Sequence, residues 1–207
     1  PTLNFREAAI LEPLACVVYG ISQVPVTPHD TALVIGSGAI GLLHVLVLKS
    51  MGVKQVIVSG HREYRLNLAK QIGADLIIDS SQTDPVEVIK EISGDEGTSL
   101  VFECTGQPDV WEESVNMVSR GGHVILFGGC PGGSKVTYDT TRLHYDQITL
   151  KGVFHFTPAA VKHAYHLLKD KRIDVSPLIT ADRGLDEITT VFQDLMTKDC
   201  IKYAIIP

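Results

Sequence analysis

The chain has 207 residues, 44% of them hydrophobic and 20% charged, a balance that suits a folded protein with a sizeable core and excludes a disordered one. Its formal net charge is −6 and it has no basic tract, which argues against nucleic acid or an anionic membrane surface as a partner. No apolar run approaches the roughly 18 to 20 residues that span a bilayer, no leader pattern is visible, and Cys16, Cys104, Cys130 and Cys200 form no C-x-x-C pair, so the expectation is a cytoplasmic protein with reduced thiols.

Residues 1–22 read as helix. Asn4 followed by Glu7 has capping-box character, and Ala8, Ala9, Leu11, Leu14, Ala15 and Val18 supply more apolar surface than a free helix needs. Pro13 should kink this helix or divide it in two. Glu12, directly before the proline in an apolar setting, reads either as a solvated surface acid or as a functional carboxylate. A turn-rich connector over 25–30 leads into Thr31-Ala-Leu-Val-Ile35, which ends in Gly36-Ser37-Gly38-Ala39-Ile40-Gly41. A helical pattern begins inside these glycines and runs over 40–51 to a C-cap at Gly52.

That stretch is a buried strand, a tight turn and a helix N-terminus. A helix N-terminus carries unpaired N–H groups and roughly half a positive charge, so it is a ready site for a pyrophosphate. Gly36 permits the turn, Gly38 lets the backbone approach phosphates, and Gly41 lets the helix sit close to the strand. The bare string also suits a functionless glycine turn or a methyltransferase-type loop. The next strand, over 55–59, completes a βαβ unit and favours dinucleotide binding.

An amphipathic helix follows over 62–72, with Leu66, Ala69 and Ile72 inward and Gly73 closing it. A strand over 76–78 and a helix over 85–92, with Pro85 in its first turn, come next. The strand over 99–103 runs into Cys104-Thr105-Gly106, and the helix over 110–118 carries Trp111 as a packing residue. Strands over 121–127, ending in Gly128-Gly129, and over 148–154 complete six. Helices over 158–169 and 185–196 precede a last strand over 201–206, which has no obvious place in the sheet. Strands alternating with helices of about ten residues imply an α/β fold, a Rossmann doubly wound six-stranded parallel sheet of order 3-2-1-4-5-6 with flanking helices. Ligand would lie beyond the strands' carboxyl ends, between the first and fourth. The expected division is an interdomain helical segment (1–22), a dinucleotide-binding domain (23–156) and C-terminal helices with the final strand (157–207).

In such folds the second strand ordinarily ends in an acid that binds the adenosine ribose, roughly twenty residues past the motif. Here it ends Ser59-Gly60-His61-Arg62, with no Asp or Glu at the tip. Gly60 makes room, Arg62 offers a planar, permanently charged fork to a 2′-phosphate, and Ser59 and His61 can add hydrogen bonds. This favours NADP(H) over NAD(H), although Arg62 and Arg65 also read as ordinary helix-surface charges.

Four motifs stand in order: Glu12-Pro13-Leu14-Ala15-Cys16, Gly36 to Gly41, Phe102-Glu-Cys-Thr-Gly106 and Lys151-Gly-Val-Phe154. Together they resemble the zinc-dependent medium-chain alcohol dehydrogenases, in the polyol (sorbitol-type) and threonine dehydrogenase branch, over essentially the whole chain. The resemblance implies hydride transfer between a nicotinamide and a small secondary alcohol, polyol or ketone, assisted by a catalytic zinc. It also implies an N-terminal catalytic domain, with a Cys ligand and a Gly-His-Glu motif, that this sequence lacks. With Pro1 as the first residue, the expectation is the cofactor-binding half of a longer dehydrogenase. Alone it would be inactive, its zinc would belong to the full-length enzyme, and its last strand would return to the catalytic domain.

The resemblance also assigns roles. Glu12 would approach the zinc or its water, as the one metal candidate in a chain lacking the other ligands. Val17 would lie against the nicotinamide, Ile40 at the pyrophosphate turn and Arg65 at the adenosine ribose. Cys104 and Thr105 would line the adenosine and nicotinamide-ribose side. Phe127, Gly128 and Gly129 would frame the nicotinamide, with Val153 and Phe154 near its carboxamide and Lys202 reaching a cofactor phosphate. His155 is an acid–base candidate by type, but between Phe154 and Phe156 it reads as cleft wall; His44 reads as packed. A homo-oligomer through the sheet edge near 148–154 is implied as well. Two alternatives stand beside this reading: a zinc-free quinone-reductase-type enzyme, which Glu12-Pro13 speaks against, and a non-catalytic dinucleotide-sensing module.

Overall fold

A computed structural model describes residues 3–197 and 200–207. Helix α1 (Phe5–Ala8) opens on the expected capping box: Asn4 Oδ1 accepts from the Glu7 amide at 2.8 Å, and Glu7 Oε2 accepts from the Asn4 amide at 3.3 Å. The chain breaks at Ala9 and Ile10 and restarts as α2 (Leu11–Ile21). The division therefore falls before Pro13, which occupies the first turn of α2, where a missing N–H removes no helical hydrogen bond.

The chain continues through β1 (Thr31–Ile35), α3 (Ala39–Ser50), β2 (Gln55–Gly60), α4 (Glu63–Gln71), β3 (Leu76–Asp79) and α5 (Pro85–Ser93). Then come β4 (Thr98–Glu103), α6 (Pro108–Ser114), β5 (Val118–Leu126), α7 (Thr140–Tyr145), β6 (Thr149–Gly152) and α8 (Pro158–Lys169). The six strands form one parallel sheet of order β3-β2-β1-β4-β5-β6, the Rossmann arrangement. Side chains alternate across it. Ala32, Val34, Val56, Val58, Leu100 and Phe102 join a core with α2, α3, α4 and α8. Leu33, Ile35, Ile57 and Val101 point the other way, into a core with α5, α6 and α7. Covering both faces is what makes these strands continuous apolar runs. Helix α3 is buried at every position from Gly41 to Leu48, because α2 packs on it as well as the strands β1 and β2.

The sequence reading erred where polar residues carry the structure. Helix α6 stops at Ser114, short of residue 118, and β5 starts at Val118, ahead of residue 121. The extra residues bulge: Val118 pairs with Thr98, and the next pair is His123 with Leu100. Arg142, on the unanticipated α7, fixes this bulge by donating from Nη2 to the carbonyls of Val115 at 2.7 Å and Val118 at 3.1 Å. The last strand also finds its partner. After β7 (Ile179–Gly184) and α9 (Ile188–Thr197), β8 (Lys202–Ile206) pairs in parallel with β7 as a separate two-stranded sheet. Among the described residues no helix is long and apolar enough to cross a membrane.

Candidate functional site

The chain leaves β1 through Gly36, whose φ of +107° a side chain would strain. The Gly36 amide donates to the Ser59 carbonyl at 2.8 Å, which stitches the turn to the end of β2. A Cβ on Gly41 would overlap the Gly36 carbonyl oxygen and lie 3.3 Å from Val34 Cγ1, so only glycine lets α3 begin this close to turn and strand. Gly38 differs: a Cβ there would meet nothing. The fold does not need that glycine, and the space beside it is open. Gly38 is the N-cap of α3 and offers no capping side chain. The first-turn amides of Ala39, Ile40 and Gly41 have no acceptor inside the helix. An uncapped helix start beside open space fits the oxygens of a pyrophosphate.

From this turn a cleft of about 710 Å³ extends across the carboxyl ends of β1, β2, β3 and β4. Its lining gathers Gly36, Ser37, Gly38, Ser59, Gly60, His61, Arg62, Arg65, Cys104 and Thr105, all expected from the sequence. Arg62 takes the N-cap position of α4 in extended conformation. Arg65 donates from Nη2 to the Cys200 carbonyl at 3.0 Å, tying the cleft to the segment before β8. The lining's acids, Asp84 and Glu113, stand on other walls, and Asp84 caps α5 by accepting from the Val86 amide at 2.8 Å.

The sequence reading missed the far wall: Ser80 to Pro85 after β3, with Gln107, Val110, Glu113 and Met117. Asp79 shapes it by accepting from Ser81 Oγ at 2.6 Å and the Ser81 amide at 2.9 Å, donors that hold its carboxyl below the usual range. The available signal was topological, since ligands lie beyond the carboxyl ends of such strands.

Behind the cleft lies Glu103, the fully buried last residue of β4. Its carboxylate accepts from the Thr105 hydroxyl, from the Thr105 amide at 2.6 Å and from the Gly106 amide at 3.2 Å. Burial pushes this carboxyl above its ordinary range while those donors pull it back. Its carbonyl accepts from the amides of Phe127 and Gly128 at 2.9 Å, and a Cβ on Gly128 would overlap the Gly106 nitrogen. Glu103 thus fixes the loop that carries Cys104 and Thr105 and joins it to the loop after β5.

Phe127, Val153 and Phe154 meet Cys16 and His155 around a second cavity of about 180 Å³. The exposed His155 ring lies 3.9 Å from that of Phe154, centroid to centroid, in the wall of this second cavity. Ala39, Ile40, Gly41, Gly128, Gly129 and Lys202 lie outside both linings. Val17, assigned to the nicotinamide by resemblance, has no exposed surface; the structure gives it to the core. His44 is packed, with Nδ1 2.9 Å from the Ile40 carbonyl and its ring edge-on to Phe127. Burial, with the Glu103 charge nearby, pushes the Cys104 thiol well above its usual range.

Glu12 is exposed on α2 and accepts from Cys16 Sγ at 3.5 Å. Burial, with the Glu12 charge beside it, pushes the Cys16 thiol up to about 11, so it stays protonated. Among the described residues no group of three or more His, Cys, Asp or Glu could hold a metal ion. These residues do not fit a metal site.

Glycine turn, doubly wound sheet and cleft define a nicotinamide-dinucleotide-binding domain. Residues 39–170 match the zinc-binding dehydrogenase family, and the chain belongs to that family as its cofactor-binding part. It is 31% identical to human sorbitol dehydrogenase, over 92% of this chain and 53% of that protein. It is 32% identical to L-threonine 3-dehydrogenase of Bacillus subtilis, over 97% of this chain and 57% of that one. A Sinorhizobium meliloti structure described as a zinc-binding dehydrogenase bound to NADP superposes with a TM-score of 0.90 at 28% identity, covering 97% of this chain and 59% of that one. The chain spans little more than half the length of the curated relatives it matches.

Proposed function

We propose that the chain binds NADP(H) for a dehydrogenase that transfers hydride between this cofactor and a small secondary alcohol, polyol or ketone. The observation that carries the cofactor choice is the tip of β2, where a bare Gly60 is followed by His61 and Arg62 and no carboxylate stands in the acid's place. In this reading the pyrophosphate rests on the start of α3 beside Gly38. The 2′-phosphate lies among Ser59, His61 and Arg62, and the adenosine ribose lies near Arg65 and the Cys104–Thr105 loop. The nicotinamide end extends toward Phe127, Gly129, Val153 and Phe154, with Glu12 on the substrate side and Lys202 near a phosphate.

The bound nicotinamide supplies the hydride chemistry; the chain's own residues bind and orient it and hold its charge. The names of the relatives, sorbitol and threonine dehydrogenases, support a hydroxylated small-molecule substrate. β6, at the sheet edge, is the side proposed for a second copy.

Titration with NADPH and NADH, followed by nicotinamide fluorescence, tests this. Arg62→Ala is expected to weaken NADPH binding by roughly 1 to 3 kcal/mol, the size of one charge-assisted contact, and to leave NADH binding unchanged. Equal losses for both cofactors would overturn the 2′-phosphate assignment. Binding of neither by the parent chain would overturn the whole reading.

A further inference from the structure

Trp111, the chain's one tryptophan, packs against the core that the sheet shares with α5, α6 and α7, but packing does not account for its indole N–H. Nε1 donates to the Gly128 carbonyl at 3.0 Å, reaching from α6 to the loop after β5. That carbonyl belongs to the peptide between Gly128 and Gly129, where no Cβ on either side restrains rotation of the peptide plane. The Gly128 amide is tied to the Glu103 carbonyl at 2.9 Å, and the Gly129 carbonyl lies against Gly106, where a Cβ would overlap it. Between these two fixed points the Trp111 hydrogen bond sets the orientation of the peptide. A trans peptide points its C=O and N–H in opposite directions, and among the described residues no peptide is cis. With the carbonyl turned toward Trp111, the Gly129 N–H is turned away from it. Gly129 is exposed, a Cβ on it would meet nothing, and its amide donates to no acceptor among the described residues. Phe127, next before the glycine pair, lines the second cavity.

We infer that Trp111 is a positioning residue for the nicotinamide end of the cofactor: its N–H holds the Gly128 carbonyl so that the Gly129 amide is presented to an oxygen of that end. Trp111 lies outside both cavity linings and acts through the peptide it holds. A donor already facing its acceptor costs the ligand nothing to orient. A peptide that can rotate lowers the apparent affinity by the fraction of time it faces away. This inference rests on the proposed placement of the nicotinamide near Phe127 and Gly129, and it concerns that half of the cofactor alone.

Trp111→Phe tests it in the full chain, because it keeps an aromatic ring against the core and removes the N–H. Two ligands divide the cofactor. NADPH carries both halves, whereas adenosine 2′,5′-bisphosphate carries the adenosine and its 2′-phosphate without the nicotinamide. Trp111→Phe is expected to weaken NADPH binding roughly fivefold, the effect of one neutral hydrogen bond, and to leave the affinity for the bisphosphate unchanged. Val115→Ala controls for lost packing, since it removes buried methyl groups at the C-cap of the same helix. It should lower the melting temperature and leave the ratio of the two affinities at the parent's value. Trp111 is not a positioning residue if Trp111→Phe keeps the parent's ratio, or if Val115→Ala shifts the ratio as far. Either result overturns this inference alone, provided the parent binds NADPH more tightly than the bisphosphate. A parent that binds the two equally holds no nicotinamide, which overturns the nicotinamide placement and this inference with it. Binding of neither overturns the cofactor reading on which both rest.

Discussion

Two ionisable side chains sealed behind the cleft make opposite demands on the fold. His44 has no exposed surface; its Nδ1–H donates to the Ile40 carbonyl, while Nε2 is buried with no hydrogen-bond partner. Burial pulls its pKa from 6.5 to about 4. The unfolded chain takes up this proton near pH 6.5 and the folded chain only near 4, so between those values the unfolded state binds more protons. Stability should therefore fall as pH drops from 6.5 to 4, by roughly 3 kcal/mol in all, with the full contribution present above 6.5. Urea unfolding at pH 7.5 and 4.5 measures it, and His44→Leu should flatten that window; an unchanged slope would show that His44 is not its source. Glu103 sits instead among donors. In Glu103→Gln the amide oxygen can keep the Oε1 position that serves Thr105, but the NH₂ group would then replace Oε2 and face the Gly106 donor, at a cost of roughly 1 to 3 kcal/mol by the same denaturation.

At the scale of elements, the strand–turn–helix unit separates folding from binding within a single motif. Gly41→Ala drives a Cβ into the Gly36 carbonyl, and since neither backbone can yield cheaply it should destabilise by roughly 1 to 3 kcal/mol. Gly38→Ala puts its methyl group into open space, so its melting temperature should match the parent's while NADPH affinity drops. A Gly38→Ala chain that binds NADPH normally would move the pyrophosphate elsewhere. The turn itself was readable in the sequence because strand, turn and helix start are contiguous and their spacing encodes the geometry. Elements without an apolar signal were not readable. In α7 only Leu143 reaches the core, β7 reads Ile179-Thr-Ala-Asp-Arg-Gly without a hydrophobic run, and the bulge opening β5 is polar and glycine-rich. Each is held by partners distant in sequence, as Arg142 holds Val115 and Val118, and local periodicity carries no trace of them.

On the scale of the molecule, the same contrast divides the cleft. Its near wall follows from one motif and the strand beside it. Its far wall is assembled from polar loops after β3 and β4, which sheet order brings together and composition does not mark. Sheet order also predicts how stability is distributed. Strands β1, β2 and β4 are paired on both edges and almost fully buried on both faces, whereas β7 and β8 form a two-stranded parallel sheet that is half-buried along most of its length. Among the ties of this small sheet to the rest are Cys200 and Ile201 at its base, the Arg65 to Cys200 hydrogen bond, and an Arg6–Asp182 ion pair at 2.9 Å. That pair is about half exposed on each side, where such contacts contribute at most about 1 kcal/mol. A parallel pair with little burial opens more cheaply than the central sheet. Hydrogen exchange followed by mass spectrometry should therefore show the amides of β7 and β8 exchanging roughly a hundredfold faster than those of β1 and β4. Because Arg65 lines the cleft and also holds Cys200, saturating NADPH should change exchange at residues 200–202 before it changes exchange at 204–206. Uniform protection across both sheets would show instead that the C-terminal pair belongs to the same cooperative unit as the dinucleotide fold.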